Sequence, residues 1–182
     1  FQASPFSDPQ GSPDARLSGF AATKWRIAEV DPGSQIAAQR NRTVLIDEGG
    51  QWKYFKGTRE PSSTQGSPWR QINFDDSSWL SGNTPIGYGE TFIVTNLSDM
   101  RGGYTTVYLR KKFEVTDIDA IEKLLLEVKY DDGVNIWING VHVVAGNTPS
   151  AELPFDATVD NRSENHDFTT YTLLDPSGCL VS

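Results

Sequence analysis

The chain is poor in the residues that carry reactive chemistry. Among 182 residues there is one cysteine, Cys179, so no disulfide can close within the chain. Two histidines, His142 and His166, together with that single thiol are too few for a thiolate or imidazole metal cage. A Ser or Cys nucleophile needs a paired base, and no nucleophile-elbow pattern accompanies either imidazole. No apolar run approaches membrane-spanning length, so no membrane insertion is expected. Basic residues are scarce too. Residues 43–182 hold 11 Lys and Arg against 20 Asp and Glu, and the whole chain has a formal net charge of −8. An acidic chain without a basic stripe argues against a nucleic-acid partner. There is no signal peptide, and the first residue is Phe1 rather than Met, so the chain is expected to be an excised piece of a larger protein whose other domains are its partners.

What is present is apolar and aromatic. The chain is 37% hydrophobic and 11% aromatic with five Trp, enough to build a core. The most informative stretch is Tyr130 to Val144, which reads as two strands joined by Asn139-Gly140. Both turn residues tolerate the positive φ of a type I′ hairpin. Side chains alternate along a strand, so Val134, Ile136 and Ile138 share one face, and Asn135, Trp137 and Asn139 share the other.

Further strands are expected at Thr43–Ile46, Trp52–Phe55, Leu124–Tyr130 and Thr169–Leu173, with the longest at Tyr104–Val115. Asp117 to Ile121 reads as one helical turn starting at Asp117. Asn73 to Trp79 reads as a capped turn pinned by Phe74 and Trp79. Gly82 to Gly103 reads as a structured loop with one or two short strands. Leu17 to Val30 is a β-like patch with Trp25 and Ile27 alternating, and Asp31 to Arg42 reads as a linker. Many short strands without a convincing long helix predict an all-β chain, an antiparallel β-sandwich.

Five segments recur in the order of a known family. They are Trp52-Lys53-Tyr54, Phe74 to Trp79, Ile86-Gly87-Tyr88-Gly89, Tyr108 to Val115, and Asp131-Asp132-Gly133 through Asn139-Gly140. Together they resemble galactose-binding-like jelly-roll domains of large secreted bacterial multidomain proteins. They are also similar to the sugar-binding-like domain of family 2 glycoside hydrolases. The resemblance covers roughly Val44 to Asp175. Phe6-Ser7-Asp8-Pro9 with Ala21 to Ile27 resembles part of an immunoglobulin-like domain. The division implied is 1–42 as a partial immunoglobulin-like segment and linker, and 43–182 as a jelly-roll domain. The family continues beyond the equivalent of Asp175 into a further strand and a closing strand. This chain departs from it at Gly178 to Ser182. That implies either an exposed sheet edge or one covered by the N-terminal segment or a neighbour.

The resemblance implies a non-catalytic carbohydrate-binding accessory module of a secreted or cell-surface protein. The competing role is a structural spacer or protein-interaction module without a small ligand. For a sugar, Trp137 would offer a flat apolar face, with Asn135 and Asn139 supplying amides. Its alternative is packing beneath a covering loop. Trp69, Tyr88, Phe92 and Tyr104 lie in or beside the long loops and would line an end-on pocket if the loops converge. No cofactor is expected beyond a structural Ca²⁺. Asp75 with Asp76, Asp131 with Asp132, or the loop of Asp156, Asp160, Asn161 and Glu164 would supply its oxygens. Turn capping is the alternative for the first two pairs. A glycosidase would need two carboxylates facing across a cleft. Twenty acids make accidental pairs inevitable, so no enzyme is expected.

Overall fold

The computed structural model describes residues 25–30, 42–62, 67–160 and 167–181. The described chain is mostly strand. In order these are β1 (Trp25–Val30), β2 (Arg42–Ile46), β3 (Gln51–Lys56), β4 (Leu80–Asn83), β5 (Ile86–Gly87), β6 (Thr95–Asn96), β7 (Val107–Arg110), β8 (Lys123–Val128), β9 (Val134–Ile138), β10 (Val141–Gly146) and β11 (Thr169–Leu174). Among the described residues the helical content is two 3-10 turns, Pro68–Arg70 and Pro176–Gly178. Each opens on a proline, whose fixed φ suits a first helical position. The all-β expectation holds.

The largest sheet is antiparallel, in the order β11-β8-β1-β2. β8 shows why these residues make a strand. Leu124, Leu126 and Val128 are fully buried while Lys123, Leu125 and Glu127 are half-buried, a period of two. β1 lies on the N-terminal side of the boundary expected at 42/43, yet it pairs with β8 through Ile27↔Leu126 and with β2 through Ala28↔Val44. Residues 25–30 therefore add a strand to the sheet built by residues 43–182. Phe6 to Pro9 and Ala21 to Lys24, which carry most of the immunoglobulin-like resemblance, lie outside the described residues.

A second antiparallel sheet has the order β4-β3-β7, and β9 with β10 forms a hairpin. The hairpin turn is as expected, with Asn139 at φ 49° and Gly140 at φ 84°. Val134, Ile136 and Ile138 face the core, while Asn135 and Trp137 are half-buried. One pair departs from the antiparallel expectation: β5 and β6 run parallel, Ile86↔Thr95 and Gly87↔Asn96.

The expected long strand Tyr104–Val115 is corrected to four residues, Val107–Arg110. Its neighbour β3 supplies register partners only from Lys53↔Arg110 to Lys56↔Val107. Beyond Gln51 the partner strand turns away through Gly49 and Gly50, with Gly49 at φ 78°. Lys111 reaches that turn with its side chain instead, Nζ donating to the Gln51 carbonyl at 2.8 Å. The turn at Asp117 forms without becoming a helix. The Ala120 amide donates to Asp117 Oδ1 at 3.3 Å and the Ile121 amide to the Ile118 carbonyl at 3.1 Å.

Two apolar clusters hold these elements. The larger draws on β2, β3, β5, β8, β9 and β10 and takes in Tyr88, Leu97, Met100 and Tyr104 from the Gly-rich region. The smaller is aromatic: Trp69, Trp79 and Tyr108 are buried, with Phe55, Phe74, Trp137 and Phe155 packed on them.

Candidate functional site

A cleft of about 390 Å³ opens between the run Thr106 to Val115 and the strand residues Asn135 to Asn139. That volume falls within the range of ligand pockets. Ile46, Trp52 and Leu126 of the main core line it. So do Trp69 and Trp137 of the aromatic cluster.

Four of the five expected ligand residues, Trp69, Trp137, Asn135 and Asn139, line this cleft. Tyr88 does not; it is buried in the main core cluster. Tyr104 belongs to that same cluster, so the loop aromatics divide between two clusters rather than converging on one end pocket.

Trp137 is not a bare platform. The Arg70 guanidinium stands over its ring, 3.9 Å from the centroid, a close cation–π contact. Trp69 meets it in a T-shaped arrangement at 5.5 Å, and His142 of the paired strand lies at 5.2 Å. Arg70 is fixed in turn by Glu152, with Nη2 to Oε2 at 3.1 Å and Nη1 to Oε1 closing a bidentate fork. That fork holds the Glu152 carboxyl below its ordinary range, chiefly through the Arg70 hydrogen bond.

The neighbouring amides are engaged as well. Asn135 Nδ2 donates to the Ser150 carbonyl at 2.9 Å, and Asn135 Oδ1 accepts from Thr148 Oγ1 at 2.9 Å. The same oxygen lies 3.0 Å from His142 Nε2. Asn139 Nδ2 donates to the Cys179 carbonyl at 2.9 Å, tying the hairpin turn to the last 3-10 turn. These bonds stitch loops to the hairpin rather than facing outward for hydroxyls.

The acid pairs have structural partners. Asp75 Oδ1 accepts from the Ser77 amide at 2.9 Å, which holds its carboxyl below the ordinary value. Asp76 Oδ2 accepts from Arg110 Nε at 2.9 Å, and Phe74 packs on Trp79 at 5.8 Å, so the turn is capped and pinned as expected. Asp131 Oδ1 accepts from the Asp132 amide at 2.9 Å. Asp156 and Asp160 are exposed, and the Asp160 carbonyl accepts from Asn147 Nδ2 at 2.8 Å. Asn161 and Glu164 of that loop, and His166, lie outside the described residues. Among the described residues no three His, Cys, Asp or Glu side chains come together to hold a metal ion.

Sequence reasoning missed two arginines that organise this region. Arg70 reaches Glu152 across 82 residues, and Arg110 reaches Asp76 across 34. Arg110 Nη1 also donates to the Trp69 and Gln71 carbonyls, the latter at 3.2 Å. The local signal was slight: Arg70 follows Pro68-Trp69, and Arg110 opens the run Arg110-Lys111-Lys112 at the end of its strand.

Buried tyrosines carry the strongest titration anomaly. Burial pushes the Tyr88 phenol from 10.0 up to about 12, with Arg101 opposing and Asp131 reinforcing the shift. Its Oη has no hydrogen-bond partner among the described residues. Tyr104 and Tyr108 are pushed up further by burial, then by Asp99 and Glu60 respectively. A phenol whose folded pKa exceeds its unfolded value stabilises fully below the unfolded value and loses that contribution as pH rises through the folded one. The Tyr88 phenol is therefore expected to weaken the fold progressively from pH about 10 to pH about 12. Urea midpoints followed by far-UV circular dichroism across that range check this. A flat profile contradicts it.

No family model matches the chain, and neither the curated proteins nor the solved structures contain a match. Among the described residues no helix is long and apolar enough to cross a membrane.

Proposed function

We propose that this chain is a non-catalytic β-sandwich of jelly-roll type that serves as a structural and protein-interaction module. Its setting is a larger secreted or cell-surface protein, as the galactose-binding-like resemblance implies. The observation that carries the reading is the state of the sugar-platform candidates. Trp137 lies beneath Arg70, and the Asn135 and Asn139 amides are bonded to the chain's own groups. A pyranose needs an open aromatic face and unengaged donors and acceptors. Using these residues for sugar would require breaking the Arg70–Glu152 fork and the loop ties first.

Carbohydrate binding is the second reading. It is favoured by one observation: the cleft of about 390 Å³ has Trp69 and Trp137 on its wall. Native affinity electrophoresis against plant and algal polysaccharides, with calcium and with chelator, separates the two. The interaction reading predicts equal mobility with and without polysaccharide for both the parent chain and Trp137→Ala. Retardation of the parent that Trp137→Ala abolishes would establish the sugar site instead. Retardation lost with chelator would assign the acidic loop a calcium role.

A further inference from the structure

We propose that the cleft between β7 and β9 is a strand-addition site. An extended peptide, apolar at alternate positions and acidic between them, enters it and joins the two sheets. This rests on the interaction-module reading and names the partner class.

Both walls of the cleft are strand edges. β7 pairs with β3 on one side only, and β9 pairs with β10 on one side only. Among the described residues, no ladder continues from the other side of either strand. The run after β7, Lys111 to Val115, lines the cleft without being part of any ladder. An unpaired edge presents a row of N–H and C=O groups open to a further strand. Two such rows facing one cavity call for a backbone with donors and acceptors on both sides. An extended strand has that property; a helix satisfies its own backbone, and a sugar has no matching repeat.

The lining fits a strand with apolar side chains: Ile46, Trp52, Leu126, Trp69 and Trp137 all border the cleft. This is how strand addition works elsewhere: main-chain bonds supply affinity and alternate side-chain pockets supply specificity. Charge selects the rest. Lys111 and Lys112 are exposed just past β7 on that wall, against Glu114 alone. In a chain of net charge −8 this is a local basic rim, and it favours carboxylates in the entering strand.

The test titrates the isotope-labelled full chain with a synthetic peptide of about eight residues alternating valine and glutamate, a typical strand length. A second peptide carries the same side chains with alternate backbone nitrogens methylated. Amide exchange is read residue by residue. The first peptide is expected to slow exchange roughly tenfold or more along residues 107–115 and 134–138, and the methylated peptide to leave it unchanged. Absence of protection at peptide excess, or equal protection by both peptides, would overturn the proposal, as would shifts confined to another surface. Its failure is distinguishable from failure of the interaction reading. Polysaccharide retention that depends on Trp137 removes the reading itself, whereas peptide failure without glycan retention removes only the strand site.

Discussion

Replacing Arg110 with methionine is expected to lower the free energy of unfolding by about 3 kcal/mol, the low end of the cost of breaking a buried ion pair. The Arg110 and Asp76 side chains are 11% and 17% exposed, so the carboxylate left behind is poorly solvated. The same change strips the hydrogen bonds that Arg110 makes to the Trp69 and Gln71 carbonyls, and its stacking over Phe74 at 5.2 Å. One side chain thus links the Asp75–Asp76 turn, the Pro68–Arg70 turn and β7. Arg110→Lys keeps the charge but not the planar fork, and is expected to recover less than half of the loss. Adding Asp76→Leu to Arg110→Met removes the stranded carboxylate and is expected to restore part of it. Urea unfolding with an unchanged m-value measures each step. A loss below about 1 kcal/mol for Arg110→Met would place the pair among surface ion pairs and contradict this account.

Trp69→Ala is expected to cost more, about 3–5 kcal/mol, the range for truncating a buried aromatic. Trp69 is 7% exposed and stands at the centre of the smaller cluster. It contacts Tyr108 at 5.1 Å, Trp137 at 5.5 Å and Trp79 at 6.3 Å. A loss of this size corresponds to roughly 10 °C in Tm for a domain of this length. Trp137→Ala is expected to cost clearly less, because that ring is only half-buried. Differential scanning calorimetry of the two variants decides the order. Equal losses would mean that Trp137 is as deeply packed as Trp69.

The parts of this fold legible in the sequence are those set by neighbours within a few residues. The Asn139-Gly140 turn and the faces of β9 follow from local φ tolerance and from alternation. The same alternation marks Leu124, Leu126 and Val128 in β8. The capped turn at Asp75 is equally local, one carboxylate accepting an amide two residues on. What escaped depends on partners far along the chain. The alternating pattern of Tyr104 to Val115 promised a long strand, but a strand lasts only as long as its ladder, and β3 and β7 pair only from Lys53↔Arg110 to Lys56↔Val107. Nothing in Trp25 to Val30 announces that it will lie between β2 and β8. The candidate site divides the same way. Alternation placed Trp137 and Asn135 on one face, and four of the five ligand candidates do share the cleft. That Arg70 would cover the ring, and that Ser150, Thr148 and Cys179 would occupy the amides, depends on loop returns that carry no sequence period.

The central claim is that the Trp137 wall serves the chain's own architecture and not a sugar. Tryptophan emission during titration with soluble oligosaccharides cut from the same polysaccharide panel tests it in solution. The account predicts spectra of the parent chain that stay superimposable up to saturating sugar. A saturable change in emission that Trp137→Ala abolishes, in a variant whose circular dichroism is unchanged, would contradict it.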